Sequence, residues 1–190
     1  MFRAERGIFM GRNAVLKVVP KVFVLLLRGF ILVLTASSKP RLLSTEDVAA
    51  AYSGDFACSA VITAAEDEFA VDIEKHGGSI AFTVTAPASM AGLSVVLDGD
   101  CAAFDYCGIS ATFAANDLPA AAPAMLFRKA AQALSLPDGI FLSVEQTRIA
   151  ARFDCFSAEL NPADFALVRL TFPEQDTVFT IENFRFLEKN

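Results

Sequence analysis

Tryptophan is absent from this sequence, and tyrosine and histidine are nearly so, with two of the former and one of the latter. The single histidine, His76, stands beside Gly77 and Gly78, where an exposed turn is expected. None of the four cysteines, Cys58, Cys101, Cys107 and Cys155, sits in a C-x-x-C pair. One histidine and scattered thiols leave no ligand set for a zinc site. A nucleophile elbow is missing as well: Gly92-Leu93-Ser94-Val95 and Gly108-Ile109-Ser110-Ala111 lack its final glycine. There is no G-x-G-x-x-G and no Walker loop to cradle phosphate. The acidic groups Glu66-Asp67-Glu68 and Asp98 with Asp100 lack calcium-loop spacing and read as solvated turns. No catalytic residue, metal or cofactor is therefore indicated, and the chain is expected not to be an enzyme.

Positive charge is scarce beyond the N-terminus. The first 37 residues carry six basic side chains (Arg3, Arg6, Arg12, Lys17, Lys21, Arg28) against Glu5, a balance of +5. The whole chain is −6, so the remainder is −11 by subtraction. A domain this acidic repels nucleic acid and anionic lipid headgroups. A long uninterrupted apolar run is also missing. Val22 to Leu34 is apolar except for Arg28, which leaves six residues on either side, far below the ~20 needed to span a bilayer. Basic residues, a short apolar segment and small residues at its end make an export signal. Residues 1–37 are thus expected to be a signal peptide or N-terminal membrane anchor, with Met10 as a second possible start. Residues 38–43, with Pro40, form a linker, and residues 44–190 a single domain.

The apolar segment closes on Leu34-Thr35-Ala36-Ser37, which is similar to a bacterial lipoprotein signal with serine in place of the acceptor cysteine. Serine cannot form the thioether that carries the diacylglycerol. Two readings stay open: release by cleavage near Ala36 or Ser37, or retention by an uncleaved anchor. Either places the protein outside the cytoplasm, secreted or anchored at the cell envelope.

What the sequence has in abundance is phenylalanine, 18 residues of it, which brings apolar area without a polar handle. Ser44-Thr45-Glu46-Asp47 opens a helix that ends at Ser53-Gly54. Alternating strands follow: Phe56 to Thr63, Phe69 to Glu74, Ile80 to Thr85, Gly92 to Leu97 and Cys101 to Cys107, with Ile109 to Phe113 as an extension or a further strand. Glu66-Asp67-Glu68, His76-Gly77-Gly78 and Asp98-Gly99-Asp100 are the expected turns. A second helix is expected over Pro123 to Ser135. Strand signals return at Ile140 to Val144, Arg148 to Cys155, Phe156 to Leu160, Val168 to Phe172 and Thr177 to Leu187. On one strand, Cys101 and Cys107 would lie about 20 Å apart at ~3.3 Å per residue, too far to bridge unless the chain turns at Gly108 or earlier. Other cross-strand disulfides and simple burial of the thiols both remain open. Sequential hairpins imply an antiparallel sheet. The class is α+β: a curved antiparallel meander with two helices on its concave face.

Four segments carry a family resemblance: Tyr52-Ser53-Gly54-Asp55-Phe56-Ala57-Cys58, Pro87-Ala88-Ser89-Met90-Ala91-Gly92-Leu93, Tyr106-Cys107-Gly108-Ile109, and Phe179-Thr180-Ile181-Glu182-Asn183-Phe184. Over roughly residues 44 to 187 the chain resembles the lipoprotein carriers with the LolA/LppX-like half-barrel, and small envelope lipoproteins of Gram-positive anaerobes. The resemblance implies a groove between sheet and helix that holds acyl chains, a lipid or another apolar small molecule. Phe82, Val84, Val95, Leu97, Phe104 and Tyr106 would face into it, with Met125, Leu126 and Leu134 above. The alternative is that the same residues fill a closed core, in an interaction or structural module of the cell surface. The missing lipoprotein cysteine departs from these relatives.

Overall fold

The structure is a computed structural model and describes residues 44–145 and 147–188. The expected signal, linker and lipoprotein-like ending lie outside these residues.

Helix α1 (Thr45–Tyr52) starts where Ser44 caps it, its Oγ accepting the Glu46 amide at 3.2 Å. That satisfies one of the free N–H groups of the first turn. Val48, Ala49 and Tyr52 form its buried stripe. Among the described residues eleven strands follow and form one antiparallel sheet. The first six are β1 (Phe56–Ala64), β2 (Asp67–His76), β3 (Ser79–Ala86), β4 (Ser94–Asp98), β5 (Cys101–Tyr106) and β6 (Ile109–Ala114). After helix α2 (Pro123–Leu134) come β7 (Phe141–Glu145), β8 (Arg148–Arg152), β9 (Ser157–Leu160), β10 (Leu167–Phe172) and β11 (Thr177–Phe186).

Alternation sets the two faces. On β2, Val71 and Ile73 are buried while Asp72 and Glu74 are exposed, the period of two that a strand with one wet face requires. Register carries the apolar face across neighbours: Ile73 opposes Phe82, Phe82 opposes Val95, and Val95 opposes Phe104. One turn differs from the sequence reading, and an alternative it left open is decided. The β1–β2 hairpin turns on Ala65-Glu66, so Asp67 and Glu68 already belong to β2. The strand from Cys101 stops at Tyr106, and Cys107-Gly108, both at positive φ (52° and 79°), turn the chain into a separate sixth strand. That pair of left-handed residues matches the twist of a tight hairpin.

The sheet order is β6-β5-β4-β3-β2-β1-β11-β10-β9-β8-β7. Each strand pairs with its neighbour in sequence except at the centre, where β1 meets β11. The two edges, β6 and β7, are consecutive in the chain, so the segment between them must cross the sheet. Helix α2 makes that crossing. Phe127 is its contact with the sheet: its ring lies 5.7 Å from Phe82 on β3, 6.2 Å from Phe56 on β1 and 5.6 Å from Phe179 on β11. Tyr52 brings α1 onto the same face, packing on Phe56 and Phe186 and donating its hydroxyl to the Phe165 carbonyl at 2.9 Å. The sheet is open and curved, with both helices on its apolar face. This is the α+β half-barrel meander expected from the sequence. An open twisted sheet of this many strands curls rather than staying flat.

Candidate functional site

The apolar face is not filled everywhere. Beside the first turn of α2 lies a cavity of about 270 Å³. The sheet supplies Ile62, Phe69, Val71, Phe82, Val84, Val95 and Phe104, and the helix side supplies Leu118, Ala122, Pro123 and Ala124. Met90 completes the lining. The gap has a simple sequence cause. Where α2 begins, it presents Ala122, Pro123 and Ala124 to this space, all short side chains, and Phe127, a turn further on, is the ring that meets Phe82. Interiors normally leave few voids larger than a water molecule, so an unfilled space of this size is a feature to explain.

Met90 reaches the cavity because the β3–β4 connection folds back on itself. Met90 N–H donates to the Pro87 carbonyl at 2.9 Å, Gly92 N–H to the Val84 carbonyl at 2.8 Å, and Val84 N–H to the Leu93 carbonyl at 2.8 Å. Gly92 sits at φ +87°, a conformation costly for any residue with a Cβ. The Tyr106 hydroxyl donates to the Ser89 carbonyl at 2.6 Å and ties this loop to β5. At its outer end the apolar floor continues onto β6. Phe113 packs edge-on against Phe104, ring centres 5.6 Å apart, and is 48% exposed; Ile109 on the same face is 75% exposed.

Of the residues that the resemblance assigned to a groove, Phe82, Val84, Val95 and Phe104 line this cavity. Leu97 and Leu134 are fully buried in the core, away from the lining. Tyr106 lies on the same face but acts as the strut to Ser89. Met125 and Leu126 face a different depression, shared with Lys129, Cys155, Phe172 and Gln175. The sequence reading did not assign Ile62, Phe69, Val71, Met90, Leu118 or the Ala122–Ala124 turn to the groove. Alternation on β1 and β2 marks the inward face of the first three. Nothing local marks the rest, whose place depends on a loop and on the crossing of α2.

No ionisable side chain lines the cavity. The buried titratable groups lie in the core instead. Burial pushes the Cys58 thiol up to about 12, with the nearby Asp72 carboxylate acting in the same direction. Burial likewise holds the Tyr52 phenol well above its ordinary range. All four thiols are free, Cys58 buried, Cys155 half-buried, Cys101 and Cys107 exposed. His76 is exposed at the β2–β3 end, its Nδ1 3.7 Å from Asp55 Oδ2 and its Nε2 3.6 Å from Glu74 Oε2. The Asp55 carboxyl is held below its usual range chiefly by the Gly77 amide it accepts at 2.7 Å. His76 is not among the lining residues, and the lining residue Phe82 lies opposite Ile73, three residues along β2 from His76, about 10 Å, so the histidine is not part of the cavity. Among the described residues no group of three or more His, Cys, Asp or Glu is placed to hold a metal ion. Nor is any helix among them long and apolar enough to cross a membrane.

No protein-family model matches the chain, and no curated protein matches it. Solved structures do. One is an uncharacterised conserved protein from Thermus thermophilus, with a TM-score of 0.50 and 10% identity, covering 76% of this chain and 85% of that one. Another is lipoprotein LppX of Mycobacterium tuberculosis, with a TM-score of 0.42 and 13% identity, covering 80% and 99%. A third is a LolA superfamily protein from Nitrosomonas europaea, with a TM-score of 0.41 and 8% identity, covering 78% and 96%. At 10% identity the likeness to the Thermus protein concerns the arrangement of strands and helices alone.

Proposed function

We propose that this domain holds a single hydrocarbon chain in the cavity beside α2, as a non-enzymatic binder or carrier of a lipid or other apolar ligand at the cell envelope. One observation carries the reading: about 270 Å³ of space whose every lining side chain is apolar. A pocket lined in this way offers water no hydrogen-bond partner and so favours hydrocarbon over water. At the roughly 30 Å³ that a water molecule takes in the liquid, the space holds about nine groups of that size, and a methylene is comparable. Complete burial of about nine methylenes at ~0.8 kcal/mol each would give at most roughly 7 kcal/mol before the cost of association, since the pocket opens to solvent. That cost is itself several kcal/mol, so binding is weak and reversible, which suits handing a ligand on better than storing it. The half-buried state of Phe69, Met90, Val95, Phe104 and Ala124 leaves a way in without unfolding. The envelope location rests on residues 1–37, whose basic start, interrupted apolar run and small-residue ending fit an export signal.

An interaction module is the second reading. It is favoured by exposed apolar side chains on the two edge strands, Ile109 and Phe113 on β6 and Phe141 and Val144 on β7. Filling the cavity separates the two. Ala124→Leu puts a larger side chain into the space without touching either edge. The expected result is at least tenfold weaker binding of a fluorescent fatty-acid analogue, with the urea midpoint unchanged or raised. Solvent extraction and mass spectrometry of the purified protein should also recover an acyl compound. If nothing co-purifies and the fluorescent analogue does not bind the wild type, the carrier reading falls and the interaction module stands.

A further inference from the structure

Arg128 is out of place on a helix that faces an apolar sheet. It is half-buried, and its Nη1 is buried without a hydrogen-bond partner, alone in that respect among the side chains of the described residues. Nor is it among the ion pairs of the described residues. A buried guanidinium nitrogen that has lost water and gained no acceptor is costly. Its position suggests what would relieve that cost. Ala124 lines the cavity, and Arg128 is four residues on, so the two share one face of α2 about one turn apart. Arg128 does not itself line the cavity, but helical side chains lean toward the helix N-terminus, the end of α2 that the cavity adjoins. The first turn of α2 has no acidic residue and no side-chain cap, so the partial positive charge of the helix end adds to the same field.

The geometry points to an anionic single-chain amphiphile as the ligand, its hydrocarbon in the cavity and its acidic headgroup on Arg128. This rests on the carrier reading above and specifies the ligand class. Fatty carboxylates and alkyl phosphates share the required chemistry, and an arginine fork accepts either. The protein's overall acidity opposes an anion at long range, so preference for one must come from a local cation.

The test uses the purified full chain in detergent-free buffer with decanoate, decyl phosphate, 1-decanol and decyltrimethylammonium, read by displacement of a fluorescent acyl probe. Wild type should bind one or both anions at least tenfold more tightly than decanol, and the preferred anion identifies the headgroup. Arg128→Met should abolish that preference and leave decanol binding within about threefold, with Arg128→Lys intermediate; circular dichroism checks that each variant is folded. If wild type binds decanol as tightly as the anions, or Arg128→Met keeps the preference, the headgroup site is wrong and the carrier reading survives. If none of the four ligands binds, both fall together.

Discussion

At the scale of single residues, Cys58 makes the most definite solution prediction. Its thiol is raised from about 9 to about 12 by burial. The folded state therefore holds the proton more tightly than the unfolded chain. The stabilisation is fully present below pH 9 and is lost as pH rises toward 12. Three units at about 1.36 kcal/mol each bound the loss at about 4 kcal/mol, and the Tyr52 phenol, also raised by burial, adds in the same direction. Urea midpoints measured at pH 8 and pH 11 should fall steeply for wild type and less steeply for Cys58→Ala; equal slopes would refute the assignment. Thiol accessibility gives an independent check. A disulfide reagent at pH 8 should label Cys101 and Cys107 at once, Cys155 more slowly, and Cys58 only on unfolding, because reactivity needs an exposed thiolate.

At the scale of elements, α2 is held by one side chain more than any other. Phe127 meets rings from β1, β3 and β11, so Phe127→Ala should cost about 3–5 kcal/mol in urea unfolding. Met125, half-buried on the other flank, should cost less when cut to alanine, and a reversal of that ranking would show that α2 is not seated as described. The β3–β4 loop depends on a different kind of tie, the Tyr106–Ser89 hydrogen bond. Tyr106→Phe removes it at a partly exposed site, so stability should change by about 1 kcal/mol or less. Release of a bound acyl probe should nevertheless be faster in stopped flow, since the loop that carries Met90 to the cavity is then held by its backbone hydrogen bonds alone. An unchanged release rate would mean that the loop does not gate the ligand. The strand pattern behind these elements was legible beforehand, because alternation on β2, β3 and β5 is local. The exact turn at Ala65-Glu66 was not: three consecutive acidic residues look like a loop, whereas Asp67 and Glu68 open a strand, with Glu68 in line with the outward Asp72 and Glu74.

At the scale of the whole molecule, topology explains why there is a site at all. Placing β1 beside β11 makes consecutive strands β6 and β7 the two distant edges. The chain between them has to lie across the apolar face, and it begins that crossing on small residues. A cavity under the start of α2 follows. Export is the other whole-molecule claim, and it rests on the chain before residue 38. Expressed in a bacterial host, the natural chain should not incorporate labelled palmitate, whereas Ser37→Cys should, because only a thiol can take the diacylglycerol. Labelling of the natural chain would overturn the reading of Leu34-Thr35-Ala36-Ser37.

The sequence by itself determined which residues face the core of each strand, where most hairpins turn, and that two helices must cover one face of an antiparallel sheet. These are short-range matters, settled by period, by turn residues and by capping. Only the tertiary structure decided which inward residues meet a partner and which meet empty space. Leu97 and Phe104 have the same pattern in the sequence, yet one is fully buried and the other lines the cavity. What separates them is the path of α2, set by strands far apart in the chain. Arg128 shows the same limit: on the sequence it is an ordinary helix cation, and only packing leaves its Nη1 buried without a partner.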